Sequence, residues 1–150
     1  MTEIKDLISY QVHMVANLLS RGAELRYRRE FGVSLWEWRT IALLGAAEEP
    51  QSLGHLARAA GIDKSQMSRV VSGLAKRKLV MRDANDEDGR GVHLRLSRTG
   101  RKLYAGLIGA AAERDAAFRN CLSASEKTVL ERALAKLAGH ARALIQQEKK

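Results

Sequence analysis

The chain has 150 residues, enough for one domain with a sizeable core, and its composition excludes collagen-like repeats and long disordered segments. The formal charge of +9 indicates a polyanionic partner, above all nucleic acid. An anionic membrane is the rival partner, but no apolar run approaches the roughly 18 residues of a spanning helix. The first residues lack a signal-peptide pattern and the single cysteine, Cys121, agrees with a reducing compartment, so we expect a cytoplasmic protein.

The first half of the chain begins with two helical patterns. Apolar residues recur at helical spacing from Ile4 onward and predict one long amphipathic helix that ends near Gly32. Ser34 and Glu37 then form a capping box, in which a hydroxyl and a carboxylate satisfy free backbone amides, and this predicts a second helix that runs to about Ala47.

Two short helices that meet at a glycine follow. We expect the first over Leu53 to Ala60, ended by Gly61, and the second from Asp63 to about Arg77, with Gln66 completing a capping arrangement. This order is typical of a helix-turn-helix, whose second helix projects outward to bind DNA. The residues suited to the helix crossing and the shared core are Ala57, Leu56, Ile62, Met67, Val70 and Leu74.

The exposed remainder of the second short helix predicts the DNA contacts. Its side chains are of the types that contact bases and phosphates, and several lie near the helix N-terminus, where backbone amides also favour phosphate. The alternative is a helical hairpin with a solvated basic face. We expect Ser65, Gln66, Ser68 and Arg69 to face the major groove, and Lys64, Lys76 and Arg77 to contact phosphates.

From Leu79 the periodicity changes to that of a strand. Apolar Val92, Leu94 and Leu96 alternate with polar residues, which predicts a half-buried strand paired with residues 79–82 in a hairpin. Near its tip, Asp88 is positioned to orient the guanidinium of Arg90 into a minor groove. The alternative is a solvated turn with an incidental charge pair, which contributes little.

Two long helices are expected at the end of the chain. A helical pattern resumes after Gly100 and ends before Ser123, and a last helix runs from Ser125 to about Gln147. Together with the first helix, these carry more apolar surface than the small DNA-binding lobe can cover, which favours a homodimer. Two-fold protein symmetry predicts a palindromic site with half-sites roughly 10 base pairs apart. A monomeric bundle that buries these faces internally is the alternative.

Three short motifs stand out: Asp88-x-Arg90 in the wing, the following Leu96-Ser97-x-x-Gly100, and Ser34-Leu35-x-x-Trp38-Arg39 in the second helix. In these motifs the sequence resembles the MarR family of bacterial winged helix-turn-helix transcription regulators. Two departures are Ser97, where the family usually has threonine, and Lys78, where glycine is common; these concern turn geometry alone.

The resemblance implies a mainly α, winged-helix (α+β) fold in a single MarR-type domain. Six helices and a two-stranded β wing would form an intertwined homodimer through the N- and C-terminal helices. The DNA-binding lobe would span about residues 34–100, and the dimerisation lobe about residues 1–33 and 101–150. In many relatives a small aromatic or phenolic ligand binds between the lobes and weakens DNA binding.

Four residues near that junction are candidates for a ligand site. They suit an aromatic acid or an acyl thioester, although a histidine and two tryptophans on helices more often serve packing. The four residues are His13, Trp36, Trp38 and Arg39.

We therefore expect a sequence-specific, DNA-binding transcriptional repressor that a small ligand releases. One alternative is an architectural DNA binder without an effector, and another is a redox sensor that acts through Cys121. The sequence has no catalytic or metal-binding motif, so we expect neither an enzyme nor a bound metal or cofactor.

Overall fold

The computed structural model describes residues 2–84 and 91–149. A 3-10 turn, Ile4–Asp6, precedes the first helix, α1, which spans Ile8–Phe31. The predicted uninterrupted helix from Ile4 is therefore broken at Leu7, whose backbone is extended. Gly32 ends α1 with a φ of 66°, in the left-handed region where glycine has no steric cost.

Three further helices follow at the predicted places. Helix α2 spans Leu35–Ala46 and begins with the predicted capping box between Ser34 and Glu37. Helix α3 spans Leu53–Ala60 and helix α4 spans Lys64–Lys76. The bounds are well predicted because caps are local signals that act within four residues.

The wing strands belong to a sheet of three strands rather than the predicted two. Strand β1 is Gln51–Ser52, β2 is Val80–Ala84 and β3 is Val92–Leu96, in the spatial order β1-β3-β2 with antiparallel pairing. Strand β1 has only two residues, too few to show an alternation of apolar and polar side chains, so it is defined only by its pairing with β3. This pairing fixes the start of α3 against the base of the wing.

The last two helices are α5, Arg98–Asn120, and α6, Ala124–Glu148. Helix α5 begins before Gly100, which lies buried against the backbone of Leu79. The chain divides into two compact units, Met1–Gly109 and Ala110–Lys150, with the boundary inside α5.

The first unit holds a continuous apolar core. Its members come from α1 to α5 and from the sheet, so α4 and the wing strands share one interior. Val71 is buried, whereas the predicted core residue Val70 is only half-buried, as is Ile62. The buried side chains include Tyr27, Val33, Ile41, Leu44, Leu56, Met67, Leu74, Leu79, Val80, Leu94, Leu96 and Leu107.

The second unit has a different character. Helix α6 buries none of its residues, and its apolar side chains are exposed. Arg119 hydrogen bonds to Asp115 at 2.6 Å and to Glu131 at 2.9 Å, and these bonds raise the pKa of its guanidinium. The exposed apolar residues of α6 are Val129, Leu130, Leu134, Leu137, Leu144 and Ile145.

Candidate nucleic-acid interface

The N-terminus of α4 is rigidly capped. Asp63 Oδ1 accepts a hydrogen bond from the backbone N of Gln66 at 2.8 Å. On the inner face of the helix Met67, Val71 and Leu74 are almost fully buried. A helix held in this way presents its outer face in a fixed orientation, as a recognition helix must.

The side chains on that outer face are the predicted ones. Lys64, Ser65, Ser68 and Arg69 are exposed, and Gln66 is half-buried. They offer hydroxyl, amide and cationic donors within two turns of a helix N-terminus, which is suited to base edges and phosphates. The structure thus brings together five of the predicted contacts.

The turn before α4 has the expected geometry. Ala57 is only 4% exposed where α3 and α4 approach, and Ile62 N donates to its carbonyl oxygen at 3.1 Å. Gly61 has a φ of 72°. A small residue at the approach and a glycine at positive φ allow the tight turn that aims α4 outward.

Lys76 and Arg77 lie at the other end of α4. The axial distance between Lys64 and Lys76 is about 18 Å at 1.5 Å per residue. Arg77 Nη1 is 3.2 Å from Oε1 of Glu37, whose other carboxylate oxygen accepts from Ser34 N at 2.8 Å. Lys76 and Arg77 are therefore separated from Lys64 by the length of the helix, and Arg77 has an ion-pair partner.

Arg82 is a candidate that sequence reasoning missed. It pairs with Leu94 across the sheet and lies at the face toward α4, where its Nη2 donates to Ser72 Oγ at 2.9 Å. The hydrogen bond ties the base of the wing to the recognition helix beside a cleft of about 230 Å³. The alternation of strand β2 places Arg82 on this face, but its partner lies ten residues away on another element. The cleft is lined by Leu53, Ser68, Val71, Ser72, Arg82, Val92 and Leu94.

An acid–arginine pair joins the two wing strands. Asp83 accepts from Arg95 Nε at 2.5 Å, and this hydrogen bond raises the pKa of the Arg95 guanidinium above its ordinary value. The predicted pair of Asp88 and Arg90 lies outside the described residues. Its role remains a prediction.

The candidate ligand residues are brought together only in part. The guanidinium of Arg39 lies 4.8 Å from the ring centroid of Trp36 and donates to Ser20 Oγ at 3.2 Å. The ring of Trp38 packs 5.1 Å from that of Tyr27. Trp38 and Arg39 line an open cleft of about 270 Å³ with Ala42, Leu43, Ala59 and Ala60.

His13 is not part of this cleft. It lies seven residues before Ser20 on α1, about 10 Å along the axis, and its Nε2 is 3.0 Å from Asn17 Nδ2. Within residues 2–84 and 91–149, no group of three or more histidine, cysteine or acidic side chains could hold a metal ion. None of the helices in that part of the chain has an apolar stretch long enough to cross a membrane.

Comparison with known proteins gives a consistent result. The sequence model of the MarR family matches residues 31–91, from the end of α1 into the wing. A MarR/EmrR family transcriptional regulator from Acinetobacter sp. ADP1 is 28% identical, with a TM-score of 0.87 over 95% of this chain and 99% of that one. No curated protein matches the sequence.

Two more distant structures share the fold and contain DNA. MepR from S. aureus, in complex with DNA, is 20% identical, with a TM-score of 0.83 over 89% of this chain and 98% of that one. A MarR family regulator from Listeria monocytogenes, complexed with a 26mer DNA, is 18% identical, with a TM-score of 0.79 over 93% and 89%. The family consists of transcription regulators and not enzymes. In its sequence match over residues 31–91, its winged-helix fold and its capped recognition helix, the chain is similar to the MarR family, and these similarities support a DNA-binding transcription regulator.

Proposed function

We propose that the protein binds a palindromic operator in the cytoplasm as a homodimer and acts as a repressor. The observation that carries this proposal is the outer face of α4, where Lys64, Ser65, Ser68 and Arg69 are exposed above a buried apolar face. Ser65, Gln66, Ser68 and Arg69 face the major groove in this proposal, and Lys64 contacts a phosphate. Arg90, oriented by Asp88, enters the minor groove. Lys76 and Arg77 contact phosphates from the other end of α4.

The homodimer is supported by the apolar faces of the terminal helices. Leu7, Ile8, Val12, Val15 and Leu18 are exposed at the start of the chain, as are the leucines of α6. Faces of this kind rarely remain open to water in a stable monomer. A two-fold axis that pairs them places two recognition helices on half-sites roughly 10 base pairs apart.

We also propose that a small aromatic anion releases the operator. The cleft beside Arg39 offers a cationic donor and apolar walls of alanine and leucine, which suit a carboxylate on a ring. Release requires that the ligand binds one dimer conformation more tightly than the other. Trp36 already stacks on Arg39, so a ligand would share or replace that contact.

The test begins with selection of bound duplexes from a random pool. We expect a palindrome, and Gln66→Ala should relax the preference at one position per half-site by about 1–3 kcal/mol. Gln146→Ala, on α6, is the matched control and should leave the preference unchanged. A selection that yields no consensus would favour an architectural binder instead.

A second arm of this test adds aromatic acids and their thioesters to the complex. Release that Arg39→Ala abolishes and Arg39→Lys retains would support the cleft as the ligand site. Release by peroxide that Cys121→Ser abolishes would favour the redox alternative, since the thiol is exposed. A complex that none of these compounds releases would favour a regulator without an effector.

A further inference from the structure

Three helix ends meet on one side of the first unit, away from the N-terminus of α4. Ser97, at the start of α5, donates to the carbonyl oxygen of Lys78 at 2.7 Å, just beyond the end of α4. Phe31, at the end of α1, lines an apolar cleft with Lys102 of α5. A Cβ added at Gly32 would lie 3.9 Å from the guanidinium of Arg77. The ends of α1 and α4 and the start of α5 are therefore neighbours.

This region carries five exposed cations that lack an acidic partner among the described residues. Nearby cations differ, since Arg28, Arg29 and Arg77 pair with Glu24, Glu30 and Glu37. The unpaired charges therefore create a positive potential that suits a polyanion. We call this set the basic corner: Lys76, Lys78, Arg98, Arg101 and Lys102.

Lys78 has a second unusual property. Its φ is 59°, and among the described residues it is the only non-glycine residue at positive φ. It follows the C-cap of α4, where Lys78 N bonds to Ala75 O and Leu79 N bonds to Leu74 O, the pattern of a helix end that glycine favours. A lysine pays a steric penalty there that glycine would avoid. Strain at an exposed charged residue suggests that its side chain serves a function.

We propose that the basic corner binds backbone phosphates of the duplex that flanks each operator half-site, and that Lys78 is a contact residue. This inference rests on the proposed function. The corner belongs to the same unit as α4 and lies about 18 Å from its N-terminus along the helix. Flanking DNA reaches it by bending toward the protein, as duplexes do in many complexes, and the contacts are independent of sequence.

The experiment compares two duplexes made from the selected operator. The short duplex ends at the half-sites, and the long duplex adds about 20 base pairs on each side, the length scale over which proteins bend DNA. Lys78→Gly removes one contact, so affinity for the long duplex at about 0.15 M salt should fall about fivefold and its salt slope by about 0.9. Affinity for the short duplex should not change. The same variant should raise Tm by about 2 °C because the strain is relieved.

If Lys78 had only a structural role, Lys78→Gly would not raise the stability and at the same time weaken binding to the long duplex alone. Lys78→Arg keeps the charge and should retain binding to the long duplex. The triple variant R98Q/R101Q/K102Q should lower the slope on the long duplex by about 2.7. Lys127→Gln, on α6, is the control for loss of a charge elsewhere.

The results of this experiment distinguish failure of this inference from failure of the proposed function. The inference would be overturned if Lys78→Gly and the triple variant bind both duplexes as tightly as the wild type does. The operator function would then stand, and an acidic protein surface would be favoured as the partner of the basic corner. Equal weakening on both duplexes would also overturn it, since the contacts would then lie within the operator. Failure of the wild-type protein to bind the short duplex would instead overturn the proposed function.

Discussion

Helices α4 and α6 are both amphipathic and both capped, yet their apolar faces have different surroundings. In α4, Met67 and Leu74 are fully buried. In α6, which is almost twice as long, Leu134 is 46% exposed and Leu137 is 40% exposed. Local capping signals form both helices, but only α4 buries its apolar face within its own unit. Packing within the chain therefore holds α4 in place, whereas the leucines of α6 are left exposed.

The largest effect should come from breaking the proposed partner surface of α6. Leu134→Glu with Leu137→Glu removes four half-exposed leucines per dimer, worth about 4 kcal/mol, so the dissociation constant should rise roughly 1,000-fold. Sedimentation velocity at micromolar concentration measures the change. The winged-helix region should keep its circular dichroism spectrum, because its core is separate.

The control for this prediction is Lys136→Glu, which introduces a carboxylate on the same helix but replaces a charged residue. Because Lys136→Glu removes no apolar side chain, it should leave the dimer intact. A double variant that sediments as a dimer would show that the face of α6 is not the interface, and a monomeric wild-type protein would contradict the homodimer itself.

The second prediction addresses the region that holds α4. A Cβ at Gly100 would clash with the carbonyl oxygen of Leu79, which links α5 to the end of α4, so Gly100→Ala should destabilise the fold by about 1–3 kcal/mol. Gly109, on the same helix, has no atom within 4 Å of the equivalent position. Gly109→Ala should therefore stabilise by about 0.5–1 kcal/mol through helix propensity alone.

Urea unfolding of both variants at equal protein concentration tests this pair. The change in the free energy of unfolding should have opposite signs at the two positions, although helix propensity alone predicts the same change for both. Destabilisation of the same size at both positions would mean that the close approach of α5 to Leu79 does not determine the effect.

The sequence predicts the parts of this fold that depend on neighbouring residues. The Ser34–Glu37 box, the Asp63 cap and the turn at Gly61 all act within four residues, and the helices begin and end where these signals place them. Strand β1 escapes prediction because its two residues are defined by pairing with His93 and Leu94, about forty positions away.

The candidate site divides in the same way. Helical periodicity alone predicts that Ser65, Ser68 and Arg69 are exposed. The partner of Arg77 is Glu37, forty residues earlier, and no local pattern indicates that pairing. The contact of Arg82 with Ser72 depends on how the sheet packs against α4, which is likewise a tertiary property.

The smallest expected effect concerns the cap that begins α6. Glu126 accepts a hydrogen bond from the backbone N of Ser123 at 2.7 Å, and this bond, with that from the Ser123 side chain, lowers the pKa of Glu126 below its ordinary value of 4.5. Because the folded-state pKa is lower than the unfolded one, the charge stabilises the helix above about pH 4.5. That stabilisation is lost as the pH falls through the folded-state value.

Glu126→Gln keeps an acceptor for Ser123 N but removes the charge near the helix N-terminus. The urea midpoint of the variant should lie slightly below that of the wild type at pH 7, and the two should converge as the pH falls below the lowered folded-state pKa of Glu126, since the carboxyl is then protonated. Glu148→Gln, at the other end of α6, removes a charge that the helix dipole disfavours, so its midpoint should shift the opposite way at pH 7. A difference between Glu126→Gln and the wild type that stays constant as the carboxyl becomes protonated would show that the cap acts through geometry and not through charge. The start of α6 would then depend on the hydrogen bonds of its capping box alone.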